Sequence, residues 1–188
     1  MARKSVKFGT STSKVGDELP DLKAGFTWFA AIKIASGPLA LKRSIWSGCA
    51  PSSEILTELF IDKSGALVFV VGDVRVAIDK EKFAAQLDAW AIMRLFSQAR
   101  LGKIELSLSL NELTVRRKAK YVGEKTIESN YLGSAGGGNT GATFELGELI
   151  LYKGRPSTAV RAKTRAYLTK KWLEGTQRSR LLPPNGKS

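Results

Sequence analysis

An all-β antiparallel sandwich is the fold class that this sequence predicts, and two observations predict it. Apolar and polar residues alternate along much of the chain, as they do in a strand with one buried and one solvated face. Gly, Asp, Asn and Ser residues separate these runs at hairpin spacing, which is typical of a sandwich or a jelly roll. The length of 188 residues predicts one domain with a substantial core.

The strands follow from short apolar or alternating runs bounded by turn residues. Asp62-Lys63-Ser64-Gly65 and Gly72-Asp73 are turn sequences, and Asn111-Glu112 is a tight connection within a hairpin. Residues 79–89 have helical composition and predict a short helix or a loop. The predicted strands are Phe26–Ile34, Ile55–Ile61, Ala66–Val71, Val74–Ile78, Trp90–Phe96, Ile104–Asn111, Leu113–Arg116 and Phe144–Tyr152.

A C-terminal helix is predicted over residues 157–174. Ser157 or Thr158 caps it just after Pro156, and Gly175 follows its last turn. We expect one side of the helix to lie against the sandwich because residues recur there at helical spacing. That side comprises Val160, Thr164, Tyr167, Leu168 and Trp172. The residues expected to point away are Arg161, Lys163, Arg165 and Lys170.

The net charge of +13 lies at the two ends of the chain. Residues 15–152 carry 16 basic and 16 acidic side chains, whereas residues 1–14 add four basic ones and residues 153–188 add ten basic ones and one acid. A neutral body with basic ends favours docking onto a negative partner through the termini. We therefore predict an N-terminal basic arm at 1–20, a sandwich at 21–175 that includes the helix, and a tail at 176–188.

Catalysis is not indicated by the residue types present. The sequence has no His and one cysteine, Cys49, so the commonest general base and metal ligand are missing. Glu145 and Glu148 are the nearest approach to a carboxylate pair, but residues three apart on a regular strand face opposite sides unless a bulge at Gly147 intervenes. We predict no enzyme activity, no catalytic residues, no cofactor and no bound metal.

Three further motifs have functional and structural interpretations. Gly136, Gly137, Gly138, Asn139 and Thr140, with Gly141, match G-x-G-x-x-G, but a strand-like run follows in place of a phosphate-binding helix. We interpret them as a connecting loop and as a candidate ligand loop.

Residues 116–120 form a basic cluster, interpreted as a solvated loop edge or as a loop that contacts phosphate or carboxylate. Trp28, Trp46, Trp90 and Trp172 are predicted to pack in the core, in preference to forming a sugar-stacking platform.

Several segments, taken in order, carry a resemblance to a known family: 26–33, 45–47, 62–67, 90–94, 103–113, 131–133, 144–152 and 166–172. Their order and spacing resemble the concanavalin A-like (laminin-G-like) jelly-roll family. Ala166 to Trp172 is similar to the "YLxxKW" helix that closes versions of this domain in bacteriophage virion proteins and some bacterial surface proteins. The E-x-D-x-x-E strand of related endoglucanases is missing, and no calcium-ligand pattern matches, so the resemblance implies neither catalytic residues nor a metal.

The resemblance and the basic ends together favour a non-enzymatic structural protein of a bacteriophage particle. Within that class we expect a capsid decoration (cement) or minor capsid protein, made in the host cytoplasm without secretion. Its partners would be the major capsid protein or other virion subunits, and a homo-oligomer, with a trimer as one candidate. The predicted partner-binding residues are Arg3, Lys4, Lys7, Arg155, Arg161, Lys163, Arg165, Lys170, Arg178 and Arg180.

Other function classes stay open at this point. The main alternative is a carbohydrate-binding module or adhesin of a virion or cell surface, with a glycan as partner. Nucleic-acid binding through the basic ends ranks third, because the body of the chain is neutral and nucleic acid is not expected as the main partner. No apolar run approaches the length of about 20 residues needed to span a bilayer, so no membrane partner is predicted.

Overall fold

A computed structural model describes residues 6–8, 13–15, 25–37, 41–52, 54–121, 127, 129–133 and 141–174. Its helices are α1 (Lys80–Ala84), α2 (Thr158–Leu168) and a π-helical turn (Thr169–Glu174) that continues α2. Its strands in chain order are β1 (Val6–Phe8), β2 (Ser13–Val15), β3 (Phe26–Ile34), β4 (Arg43–Cys49), β5 (Ile55–Ile61), β6 (Leu67–Val71), β7 (Val74–Ile78), β8 (Trp90–Arg100), β9 (Lys103–Leu110), β10 (Leu113–Lys120), β11 (Ser129–Leu132) and β12 (Phe144–Lys153).

These strands form two antiparallel sheets. Sheet A has the order β1-β12-β3-β8-β9-β10, and sheet B has the order β2-β11-β4-β5-β6-β7. The all-β antiparallel sandwich is therefore confirmed, and Phe26–Ile34, Ile55–Ile61 and Val74–Ile78 are strands with the predicted bounds. The jelly-roll connectivity, the domain boundaries and the basic arms stay predictions.

The main core lies between the two sheets. Trp28 on β3 meets Trp46 on β4 with ring centroids 5.3 Å apart, and Phe26 contacts Trp46 and Phe69 edge to face. Both tryptophans are at most 5% exposed, as predicted for core residues. Offset aromatic pairs of this kind stabilise a core beyond the apolar area that they bury.

The hairpin between β9 and β10 has the predicted two-residue connection. Leu110 pairs with Leu113, and Asn111 adopts a φ of 51°. The Asn111 side chain accepts a hydrogen bond from the Ile92 backbone N–H at 2.9 Å and donates one to Gln86 at 2.7 Å. These bonds tie the hairpin to β8 and to the segment after α1.

The C-terminal helix packs on the outer face of sheet A, as expected. Ser157 caps α2, and Leu168 and Trp172 are buried against Phe29, Ala31 and Ile92 of the sheet. Val160 and Tyr167 are 38% and 47% exposed, so their assignment to the packed side was wrong. The buried residues of the helix are Thr164, Leu168 and Trp172, which recur every four residues, so the packed side is narrower than the predicted one.

A bulge in β12 changes the face of the sheet on which Glu148 lies. The register of β12 against β3 shifts between Leu146 and Glu148, so Glu145 pairs with Lys33 and Glu148 with Ala31. Both carboxylates consequently lie on the outer face of sheet A, because the bulge that the sequence left open at Gly147 is present. A bulge adds one residue to one strand of a pair and so changes which face the following side chains occupy.

Two charged segments also differ from the prediction. Residues 6–8 pair with β12 and residues 13–15 pair with β11, so both belong to the sheets although they fall within the predicted arm. Residues 116–120 belong to strand β10, whereas a loop or loop edge was predicted. Among the described residues, neither helix has the length and apolar character that a bilayer span requires.

Candidate ligand groove

A groove of about 740 Å³ lies between the C-terminal helix and the outer face of sheet A. We call it the helix groove, and its floor is formed by Phe29, Ile92, Arg94, Ser109 and Thr114. Its helix side is formed by Thr158, Arg161, Ala162, Arg165, Ala166 and Lys170. An adjoining recess of about 190 Å³ shares Arg94 and Arg161 with it.

The floor combines apolar and polar groups because strand residues alternate between faces. Met93 and Leu95 point into the main core, so Ile92 and Arg94 point outward from β8. Arg94 Nη2 donates to Ser109 Oγ at 3.0 Å and approaches Ser107 Oγ at 3.4 Å. Ser107 and Ser109 are buried, so this guanidinium lies low on the sheet surface.

Arginines from neighbouring elements line the rim. Arg155 donates to Glu105 at 2.6 Å and stacks over the Phe96 ring at 4.2 Å. Arg165 donates to Glu112 and to the Asn111 carbonyl in the β9–β10 connection. These contacts hold two guanidiniums over the sheet, where a ligand in the groove would meet them.

The electrostatics of the groove are positive. Six basic side chains line the groove and its recess (Arg94, Arg116, Arg155, Arg161, Arg165 and Lys170), against three carboxylates (Glu105, Glu112 and Glu174). Burial, and then the charges of Arg161, Arg116, Arg155 and Arg165, lower the pKa of Arg94. An arginine stays protonated under such conditions, so its positive charge persists.

The predicted partner-binding residues separate into three groups. Arg155, Arg161, Arg165 and Lys170 come together at the helix groove and its recess, and Lys163 is exposed on the same helix. The expectation that Arg161 and Arg165 point away from the sandwich was wrong, since their long side chains fold back over the sheet. Lys7 lies in β1, whereas Arg3, Lys4, Arg178 and Arg180 fall outside the described residues.

The candidate ligand loop is also outside the described residues. This applies to Gly136, Gly137, Gly138, Asn139 and Thr140, while Gly141 bridges to Ser44 at the end of β4. Their predicted role is untested.

Sequence reasoning missed the centre of the groove. Arg94 appeared only as the last residue of an apolar run, and Ser107 and Ser109 only as polar positions of an alternating strand. A charged residue at an outward position of an otherwise apolar strand was the signal available, because such a charge usually faces a partner or a ligand.

The carboxylates outside the groove are engaged with lysines. Glu145 accepts from Lys33 at 3.3 Å, and Glu148 accepts from Lys171 at 2.7 Å. Burial acts to raise the pKa of Glu148, but hydrogen bonds from Lys171, Trp172 and Tyr167 outweigh it and hold the pKa below its usual value. Glu148 is thus kept ionised, which is unsuited to a general acid.

No metal centre is apparent in the part of the chain that the structure describes. There, His, Cys, Asp and Glu form no group of three or more that would hold a metal ion. The prediction that the protein binds no metal stays a prediction.

Comparison with known proteins identifies the fold by structure and not by sequence. No protein-family model matches the chain, and no curated protein matches it. The binding domain of botulinum neurotoxin serotype G superposes with a TM-score of 0.57 at 13% identity, over 87% of this chain and 42% of the other. The serotype D ligand-binding domain, in complex with N-acetylneuraminic acid, gives 0.53 at 11% identity over 80% and 39%.

A Trypanosoma rangeli sialidase mutant displaying trans-sialidase activity gives a TM-score of 0.58 at 16% identity, over 78% of this chain and 23% of the sialidase. This chain therefore spans less than half the length of each of these proteins, and at such identities the similarity shows the fold alone. The structure therefore defines a β-sandwich domain with a polar, basic groove on the outer face of one sheet. None of the proteins named here is described as a virion component, so the phage context stays a prediction.

Proposed function

We propose that this protein is a non-enzymatic carbohydrate-binding module and that its glycan lies in the helix groove. The observation that carries the proposal is the composition of the groove lining. Ala162 and Ala166 on the helix provide exposed apolar surface. Arg94, Ser109 and Thr114 provide polar groups opposite it. Sugars present apolar C–H faces and rings of hydroxyl groups, and sites for small ligands combine these same two kinds of surface.

The size of the groove fits an oligosaccharide. Its volume of about 740 Å³ falls in the range of roughly 300–1,000 Å³ that is usual for small-ligand sites. The structural similarity to a ligand-binding domain in complex with N-acetylneuraminic acid and to a sialidase supports the same ligand class.

A binding role is favoured over catalysis by the state of the carboxylates. Glycoside hydrolysis needs two carboxyl groups flanking the scissile bond, one of them protonated. In the groove and its recess, Glu105 is held by Arg155 and Lys118, and Glu112 is held by Arg165. Each of these carboxylates is thereby engaged in an ion pair with the protein's own basic side chains.

Capsid decoration remains the second candidate, and it rests on the sequence resemblance. Four of the arginines and lysines assigned to capsid binding line the helix groove or its recess, where they surround a concave surface. Co-sedimentation with phage heads lacking this protein tests that role. Retention at a fixed copy number, lost on truncation of residues 1–14 or 176–188, would establish it.

The glycan proposal is tested by blocking the groove from the helix side. The full chain is screened on a glycan array, and hits are measured by isothermal titration calorimetry. Ala162→Trp places a large ring in the groove, whereas Ala159→Trp places the same ring on the exposed part of α2. We expect saturable binding that Ala162→Trp abolishes and Ala159→Trp preserves. Absence of any glycan hit, or equal binding by both variants, would contradict the proposal.

A further inference from the structure

Arg94 has donor capacity that the protein itself does not use. Its Nη2 group is occupied by Ser109 and Ser107, but its Nε is buried and makes no hydrogen bond with any residue that the structure describes. Arg161 Nε, across the shared recess, is in the same situation. A buried donor without an acceptor is destabilising, so two of them around one cavity indicate a missing acceptor.

The charges of these residues are also uncompensated. Glu105 pairs with Arg155 and Lys118, and Glu112 pairs with Arg165. Within the described part of the chain, Arg94, Arg116 and Arg161 have no carboxylate within salt-bridge distance, although all three line the same recess. The recess holds four guanidiniums, of Arg94, Arg116, Arg155 and Arg161, against the single carboxylate of Glu105, so an anion bound there would reduce the repulsion among them.

We propose that the ligand of the helix groove is an acidic glycan whose carboxylate or sulfate group enters the recess between Arg94, Arg116 and Arg161. The inference rests on the proposed carbohydrate-binding function and specifies the chemical class of the sugar. The guanidinium fork matches the planar carboxylate and the sulfate oxygens, and it forms charge-assisted hydrogen bonds that are shorter and stronger than neutral ones. The alanine side chains of the helix and the hydroxyl groups of the floor then hold the sugar ring beside the anion.

The shape of the site favours a short acidic glycan over a nucleic acid. The recess of about 190 Å³ admits one compact anionic group, and the adjoining groove of about 740 Å³ admits the sugars attached to it. A nucleic-acid site would track a line of phosphates and stack bases on exposed aromatic rings. The aromatic rings at this site, Phe29 and Phe96, are at most 4% exposed, so neither offers a stacking face.

The test compares matched acidic and neutral glycans by calorimetry on the full chain. The probes are sialyllactose against lactose, trigalacturonate against maltotriose, and a sulfated against an unsulfated galactose disaccharide. We expect at least one acidic probe to bind at least tenfold more tightly than its neutral counterpart. The carboxylate-bearing and sulfate-bearing probes distinguish the two sources of the anion.

Variants of single charges assign the effect to the recess. Arg94→Gln and Arg161→Gln are expected to weaken binding of the acidic probe at least tenfold, and to weaken any binding of its neutral counterpart less than that. Lys163→Gln removes the same charge from the exposed part of the helix and should change affinity less than twofold. Glu112→Gln removes a groove carboxylate and should tighten binding. Arg116→Gln, on the exposed strand β10, repeats the test if Arg94→Gln fails to fold.

The outcomes separate this inference from the proposed function. Binding of neutral and acidic partners with equal affinity, unaffected by Arg94→Gln and Arg116→Gln, would overturn the acidic-glycan inference and leave a carbohydrate-binding module. Absence of binding to any glycan would overturn both. Displacement of the acidic probe by an oligothymidylate or by a poly-glutamate peptide at lower concentration than by the free sugar would assign the recess to those polymers and refute the inference.

Discussion

Gly147 is the position where a single methyl group should disturb the docking of the C-terminal helix. A Cβ built there lies 2.7 Å from three ring atoms of Trp172, and ordinary van der Waals contact begins at 3.4 Å. The indole is rigid and packs on Trp90 at 4.8 Å between ring centroids, so it has little room to move. Overpacking of this kind costs about 1–3 kcal/mol. Because 1 kcal/mol shifts the Tm of a protein of this size by about 2–4 °C, Gly147→Ala should lower Tm by about 2–12 °C.

A double-mutant cycle with Trp172→Ala isolates the clash. Thermal unfolding gives the stability of each variant, and near-UV circular dichroism reports the packing of Trp90 on Trp172. We expect Gly147→Ala to be destabilising in the parent and nearly neutral once the indole is gone, with a coupling energy of about 1–3 kcal/mol. Gly102→Ala is the control for backbone strain without a steric clash. Its φ of 68° makes alanine unfavourable, but no other atom lies within 4 Å of an added Cβ. Equal losses from Gly147→Ala in both backgrounds would refute the steric argument.

Two further predictions concern stability. The lowered pKa of Glu148 means that its interactions stabilise the fold above the unfolded-state pKa, near 4.5, and that this contribution is lost as pH falls through the folded-state value. The stability difference between the parent and Glu148→Gln, measured by urea unfolding, should therefore be largest at neutral pH and shrink below pH 4.5; a difference that grows on acidification would contradict this. Asn111→Ala should cost about 2–3 kcal/mol, because it removes the hydrogen bond from the Ile92 N–H and places alanine at a positive φ that asparagine tolerates better. Asn111→Gly should cost about 1 kcal/mol less, because glycine adopts that φ without strain. Equal urea-unfolding losses for the two would show that backbone conformation has no part in the effect.

Eight of the twelve described strands were predictable from apolar or alternating runs, because local sequence determines them. Alternation over Ile104–Leu110 has the period of a strand, and Asn111 tolerates the positive φ that the tight connection needs. The capping residue Ser157 likewise marks the start of the C-terminal helix through a local hydrogen bond to Val160 N–H. In each case the deciding interaction spans only a few residues of sequence.

The groove was not predictable because it depends on contacts between distant segments. Arg94, Ser109 and Arg161 come from two strands and a helix, and no local pattern shows that they share a cavity. The bulge at Gly147 was considered but could not be assigned, since a shift in register is visible only against the partner strand. Helical spacing correctly indicated that Leu168 faces the sheet but gave the wrong direction for Arg161 and Arg165, whose long side chains reach around the helix.

The most direct test of the central claim is an NMR titration that observes the arginine Nε–Hε groups of the full chain. The acidic probe that binds most tightly in calorimetry is added to labelled protein, with its neutral counterpart as the matched probe, and Arg94 and Arg161 are assigned through their glutamine variants. The account predicts saturable shifts of the Arg94 and Arg161 Nε–Hε signals with the acidic probe, because these two donors gain an acceptor on binding. Saturable shifts confined to residues outside the helix groove, or no shift with either sugar, would contradict it.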